Sequence, residues 1–210
     1  MTISADERFA DLARSALDDL LAGQPVLATA LGDHRFDDRL DDASPAGLAA
    51  ERRMVAGHLA ALDQLDRSAL SQVNAVDAEI LTARLDEQLF GLDQLREHEW
   101  NPLVANPGTG LYMLLARDFA PLPDRLRSLA GRLAAVPDAL RTARASLGAM
   151  PQVHLETAIG QFEGTRNLLV GDVEEALAKA EPLRREVDPA RQAALAALDE
   201  HAAWLRERLA

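Results

Sequence analysis

Along most of its length the chain places apolar residues three and four positions apart, the spacing that lines one face of a helix. Ser4 and Glu7 form a capping box, and Phe9, Leu12, Ala13, Ala16, Leu17, Leu20 and Leu21 then predict a helix from about residue 5 to Ala22. Gly23 and Pro25 close it, and the stretch through Gly32 to Asp42 reads as an ordered loop or a short turn of helix. Ser44-Pro45, a cap followed by proline at the first helical position, opens a second helix on Leu48, Val55, Leu59 and Leu62. A third starts near Asn74 and runs along Ile80, Leu81, Leu85, Leu89, Leu92 and Leu95.

The segment from Trp100 to Gly110, WNPLVANPGTG, holds two Asn-Pro steps that push each Asn out of the helical region. It is the least helical part of the chain and the one candidate internal boundary. Leu111 to Phe119 reads as a short buried helix. Pro121, Pro123, Pro137 and Pro151 then each mark the start of a helical phrase: Leu126-Leu129-Leu133, Leu140-Ala143-Leu147 and Ala158-Phe162-Leu169. Asp188-Pro189 opens the last phrase, whose Leu195, Leu198, Ala202, Leu205 and Leu209 keep heptad spacing to the chain end. An apolar seam ending one residue before Ala210 predicts a cut chain with its seam open. The expected architecture is all-α, an irregular multi-helix bundle of about seven or eight helices. Residues 1–210 are expected to form a single helical unit within a larger helical fold.

Composition agrees with helix. Of the 210 residues, 40 are Ala and 36 Leu, against 13 Val plus Ile, so the core must pack Leu against Ala. Aromatic residues, at 4%, leave few anchors for stacking on bases or sugars. A net charge of −12 repels phosphate backbones and anionic lipid, so neither nucleic acid nor membrane is an expected partner. The absence of cysteine excludes disulfides, Cys-ligated zinc and thiol chemistry. Lys179 is the one lysine and so the one side-chain amine nucleophile on offer. Met1 to Ala10 is polar and acidic and no run of 18 apolar residues occurs, which makes a cytoplasmic location the expectation.

Tests for chemistry leave little. His98-Glu99 begins a zinc-protease pattern, but Pro102 stands where the second His is required. No Glu precedes a His by three residues, as a di-iron bundle needs. Asn106-Pro107-Gly108-Thr109-Gly110 lacks the Lys of a phosphate loop, so its glycines read as turn glycines. The run Asp37-Asp38-Arg39-Leu40-Asp41-Asp42 reads as a solvated loop capping nearby helix starts. One constellation stands out: His154, Glu156 and Gln161, polar positions at the start of a helix that could point into a cleft, as against an ordinary surface His-Glu pair.

The phrases PVLATALGDHRFDDRLDD at 25–42, EHEWNPLVANPGTGLYMLLARDFAPLPDRLRSLAGRLAAVPDALRTAR at 97–144 and MPQVHLETAIGQFEG at 150–164 resemble the N-terminal part of the bacterial family called domain of unknown function 885 (DUF885). The most specific pieces are Pro25-x-x-Ala28-Thr29-x-x-Gly32, Arg132-Leu133, Pro137-x-x-Leu140 and His154-x-Glu156-Thr157-Ala158. The resemblance implies a protein similar to helical zinc metallopeptidases, in which N-terminal helices wall a deep cleft. The zinc-binding motif of that family lies in its C-terminal part. No metal ligand or catalytic residue therefore carries over to this chain, and zinc is implied for the full-length family alone. His154, Glu156 and Gln161, with Trp100 and Asn101, carry over as cleft-wall positions. The implied function is a non-catalytic wall of a metallopeptidase-like hydrolase acting on a peptide or small molecule. The missing C-terminal portion or a partner chain is then expected to pack on Leu198, Leu205 and Leu209. The alternative is a self-contained acidic helical module that pairs with another chain, and a third reading is a stand-alone enzyme built on His154 and Glu156.

Overall fold

In the computed structural model, which describes residues 4–210, all regular structure is helical. Nine α-helices occur among the described residues, two of which, α7 and α8, abut at Gly171. They are α1 (Ala5–Gly23), α2 (Pro25–Leu31), α3 (Pro45–Asp63), α4 (Gln72–Phe90), α5 (Gly108–Ala116), α6 (Leu122–Ser146), α7 (Gln152–Val170), α8 (Asp172–Lys179) and α9 (Arg184–Leu209). Packing separates the chain into two compact units with crossings at 23–24, 44–45 and 97–98, where the pattern suggests one unit and a boundary at 100–110. The 100–110 segment lies inside the larger unit, because its turns are packed on α6 and α7.

The smaller unit holds α1, α3 and α4. The Ser4–Glu7 box caps α1 as expected, with the Glu7 N–H donating to Ser4 Oγ at 3.1 Å and the Ser4 N–H to Glu7 Oε2 at 2.8 Å. Phe9, Val55, Leu62, Ala78 and Leu85 form its core. Polar ties cross between helices: Arg52 meets Asp93 in a fork of 2.7 and 2.9 Å, and His58 Nε2 lies 2.9 Å from Asp19. Ile80, expected on the buried face of α4, is exposed, because the face through Ala78 and Leu85 takes the core. Arg96, at φ 49°, turns left-handed and ends the helical run that follows α4.

In the larger unit (residues 24–44 and 98–210) α9 lies against both α6 and α7, and α5 touches both as well. The apolar seam of α9 is consequently closed by this chain itself: Leu198 and Leu205 are buried in the main core and only Leu209 is exposed. The expectation of an open seam fails because α6 and α7 supply the covering faces. Two proline expectations also fail. Pro137 lies inside α6 and Pro189 inside α9 instead of opening new helices. An interior proline costs about 3 kcal/mol. Leu126, Leu129, Leu133, Val136 and Leu140 of α6 are each fully buried, at about 1.5–3 kcal/mol apiece, so the buried face outweighs the break. Around Pro189, Asp188 pairs with Arg184 and Arg191, and both arginines meet Glu174 of α8. Those two guanidiniums hold the Glu174 carboxyl down to about 2.

The stretch after Gly23, expected as an ordered loop or a short turn of helix, starts with the short helix α2 and one further turn at His34–Phe36, and is fastened to α6 through Arg132. This guanidinium is fully buried and donates to the carbonyls of Arg39 (2.8 Å), Gly110 (2.5 Å) and Pro25 (3.2 Å) and to the Thr29 hydroxyl (2.6 Å). Thr29 Oγ1 lies 2.5 Å from Asp37 Oδ1, and Asp37 Oδ2 lies 2.9 Å from His34 Nδ1. The His34 ring stacks on Phe119 at 3.7 Å. Burial pushes the Arg132 guanidinium below its ordinary value, and the nearby Asp37, Asp41 and Asp38 pull it back up. Gly131 makes room, since a Cβ there would sit 2.6 Å from the Asp38 carbonyl oxygen. The acidic run does cap a helix start, with Asp41 Oδ1 accepting the Val26 N–H at 3.1 Å, but Asp37 is buried rather than solvated.

Two predictions follow from these buried groups. Arg132→Met leaves four acceptors without their donor and should cost about 3–5 kcal/mol, read as a lowered urea midpoint. His201 is fully buried, neither ring nitrogen has a hydrogen-bond partner, and burial beside Arg144 holds its pKa down to about 4. Its folded pKa is below the unfolded value of about 6.5, so it destabilises the fold as pH falls from about 6.5 toward 4. His201→Phe should therefore gain on the parent chain as pH drops, by about 2 kcal/mol between pH 7 and pH 5, in paired denaturation curves.

Candidate functional site

An open groove of about 630 Å³ runs along the larger unit between α5, α7 and the head of α8. Its geometry begins in the turn before α5, where Asn106 Oδ1 accepts the Gly108 N–H at 2.8 Å and the Thr165 hydroxyl of α7 at 2.7 Å. A Cβ at Gly108 would overlap Thr165 Oγ1, so glycine lets the first turn of α5 lie against α7. Thr109 and Tyr112 of α5 face Gln161, Gly164 and Asn167 of α7 across the groove, and Asp172 stands at its end. Tyr112 is 55% exposed although Leu111, Met113 and Leu114 around it are buried. An adjoining hollow shares Tyr112 and Asp172 and adds Asp118, Glu175 and Lys179. The Lys179 ammonium donates to Glu175 at 2.7 Å and is engaged in an ion pair rather than poised as a nucleophile.

The chemistry on offer is recognition. The side-chain amides of Gln161 and Asn167 and the hydroxyls of Thr109 and Tyr112 provide donors and acceptors without charge, and the tyrosine ring adds an apolar face. Of the five cleft-wall positions expected from the sequence, Gln161 alone lines this groove. His154 stacks on Trp100, ring centres 5.4 Å apart at 23°, and its buried Nδ1 has no hydrogen-bond partner. Glu156 is exposed and accepts from Gln152 Nε2 at 2.7 Å, not from His154. Asn101 is buried, its Oδ1 accepting the Leu103 N–H at 3.1 Å to cap the 102–105 turn. The structure thus brings Trp100 and His154 together, with Asn101 next to Trp100 in the chain, while Gln161 lies in the groove and Glu156 pairs with Gln152.

Tyr112 and Asn167 are groove residues that pattern reasoning passes over. An apolar run predicts a buried helix at 111–119, yet neighbouring helical positions lie about 100° apart, which turns Tyr112 outward while Leu111 and Met113 face the core. The chain's one tyrosine in an otherwise aliphatic helix is the signal that could have marked it.

The family model for bacterial protein of unknown function DUF885 matches residues 25–210. The chain belongs to the DUF885 family. Three solved chains match it. One, a protein of unknown function from Shewanella oneidensis provisionally called a lipoprotein, superposes with a TM-score of 0.90 over 96% of this chain at 24% identity. That likeness establishes the shared fold. This chain spans 37% of the length of that protein. No curated protein matches. The family pieces Thr29 and Arg132, far apart in sequence, meet directly in the buried network of this DUF885 chain. Among the described residues, no three His, Asp or Glu side chains come together to hold a metal ion, and no helix is long and apolar enough to cross a membrane.

The α5–α7 contact gives a paired test. Gly108→Ala should lower the unfolding free energy by about 1–3 kcal/mol through the clash with Thr165, read as a lower urea midpoint. Gly164→Ala, with nothing within 4 Å of the new Cβ, should leave stability unchanged or raise it by up to about 1 kcal/mol.

Proposed function

We propose that this chain forms the binding wall of a longer metallopeptidase-like hydrolase and is not catalytic by itself. The observation that carries this reading is the groove, in which uncharged amides and hydroxyls flank an exposed tyrosine ring. A peptide main chain, with alternating N–H and C=O groups, is the ligand such side chains pair with, while Tyr112 offers a face to a substrate side chain. The framework supports the role: Gly108 and Thr165 hold α5 and α7 together, so groove residues from two helices are prepositioned. The zinc implied for the full-length family finds no fitting set of three donors among the described residues.

A second reading, the acidic interaction module, has its own observation. Val73, Val76 and Ile80 lie three and four residues apart on α4 and are 70%, 50% and 63% exposed, an apolar stripe in the smaller unit.

The test uses the purified chain with zinc, a fluorogenic peptide set and an unlabelled peptide titration. The wall reading expects no zinc held at one equivalent, no hydrolysis, and peptide binding at about millimolar strength that Tyr112→Ala and Gln161→Ala each weaken roughly fivefold. Zinc held stoichiometrically together with peptidase activity would overturn it. A discrete oligomer that binds no peptide would support the interaction module instead.

A further inference from the structure

Helix α4 is apolar on two opposite faces, and among the described residues only one of them is covered. Ala78 and Leu85, seven positions apart, are fully buried in the core of the smaller unit. On the far side Val73, Val76, Ile80, Ala83, Glu87 and Phe90 follow at alternating spacings of three and four, the a and d positions of a heptad in which Ala78 and Leu85 take position f. All six are exposed, Phe90 at 53%. A helix that keeps one side in water normally carries polar residues there. Here an apolar seam, broken only by Glu87, runs about 26 Å along that side.

The seam is flanked by acid on both edges. Asp77 lies at position e, and Glu79 and Asp86 lie at position g. All three are exposed, and among the described residues none of them forms an ion pair. The one base of these flanks, Arg84, is held by Glu87 of the same helix at 2.6 Å. Charges at e and g decide which partner a helical seam accepts. Unpaired carboxylates on both edges select a helix that carries Lys or Arg at its own flanks. A second copy fits worse, because a parallel pairing sets Glu87 against Glu87 and an antiparallel one centred on the seam sets Glu79 beside Asp86. The net charge of −12 adds to that repulsion and also disfavours an anionic lipid surface.

We infer that this face of α4 is the docking site for one amphipathic helix of another chain, apolar along its seam and basic along both flanks. The inference rests on the interaction-module reading and is independent of the groove. Val73, Val76, Ile80 and Phe90 meet the apolar side chains of the partner, Ala83 admits a close approach, and Asp77, Glu79 and Asp86 receive its cations.

Isothermal titration of the whole chain tests the site with two synthetic helices about three heptads long, both with Leu at a and d, one with Lys and the other with Glu at e and g. The Lys peptide should saturate at one per chain with Kd of about 10 μM, and the Glu peptide should bind at least roughly tenfold more weakly. Ile80→Asp separates seam docking from plain charge attraction, since it breaks the apolar line while adding a negative charge. It should weaken the Lys peptide at least roughly tenfold, and an unchanged or tighter Kd would overturn the inference. Ile80 is exposed, so this variant should keep the parent's urea midpoint. The paired change Glu79→Lys and Asp86→Lys should shift the preference toward the Glu peptide by at least roughly fivefold. Failure of the Lys peptide to saturate, or equal affinity for the two peptides, also overturns the inference. Sedimentation of the chain alone then tells the failures apart. A dimer that Ile80→Asp dissolves makes a second copy the occupant and keeps the interaction module, while a monomer that binds neither peptide removes both.

Discussion

A single buried cation organises the larger unit. The Arg132 guanidinium cannot shed its charge, and a charge out of water must have its donors met. It meets them on four acceptors drawn from three stretches of chain: the start of α2, the loop after it and the first turn of α5. Because Pro25 and Gly110 carbonyls are both held by it, α2 and α5 are fixed to α6 at one point. The groove along α5 takes its shape from an element anchored there. The neighbouring Gly131 is part of the same device, since the loop backbone could not approach a side chain at that position.

The second constraint is the placement of α9. Its Leu198 and Leu205 fill the space between α6 and α7, and His201 from the same face packs on Phe162 at 4.6 Å and Trp204 at 5.5 Å. A neutral imidazole with no hydrogen-bond partner is an expensive residue for a core. Its aromatic neighbours show that it is used there as a flat ring. The Glu174, Arg184, Arg191 and Asp188 group then ties the start of α9 back to α8.

Much of the helical layout was legible because local chemistry decided it. The Ser4–Glu7 box and the Ser44-Pro45 start mark helix beginnings that the fold keeps, and the starts of α4 and α7 fall within a few residues of their signals. What was not legible came from tertiary packing. Prolines 137 and 189 read as breaks, and only the buried faces around them show why the helices continue. The α9 seam looked open because its partners, α6 and α7, are not sequence neighbours in register with it. Among the expected cleft-wall residues, His154 meets Trp100 across 54 residues, a contact that helical spacing cannot select, whereas Glu156 pairs with Gln152 one turn away on the same helix. Gln161 reached the groove because α5 happens to run beside that turn of α7.

The larger unit is discontinuous in sequence, and this has a consequence for how it is made. The Arg132 bond to the Pro25 carbonyl joins residues 107 apart, and its bond to Thr29 joins residues 103 apart. A chain emerging from its amino end releases the seven residues of α2 long before their anchor exists. A helix that short does not hold itself together in water. Residues 45–97 can meanwhile pair α3 with α4 through local contacts, leaving 24–44 as a tethered strand that waits for α6. Assembly of the larger unit is therefore a late, long-range closure set by the arrival of one arginine.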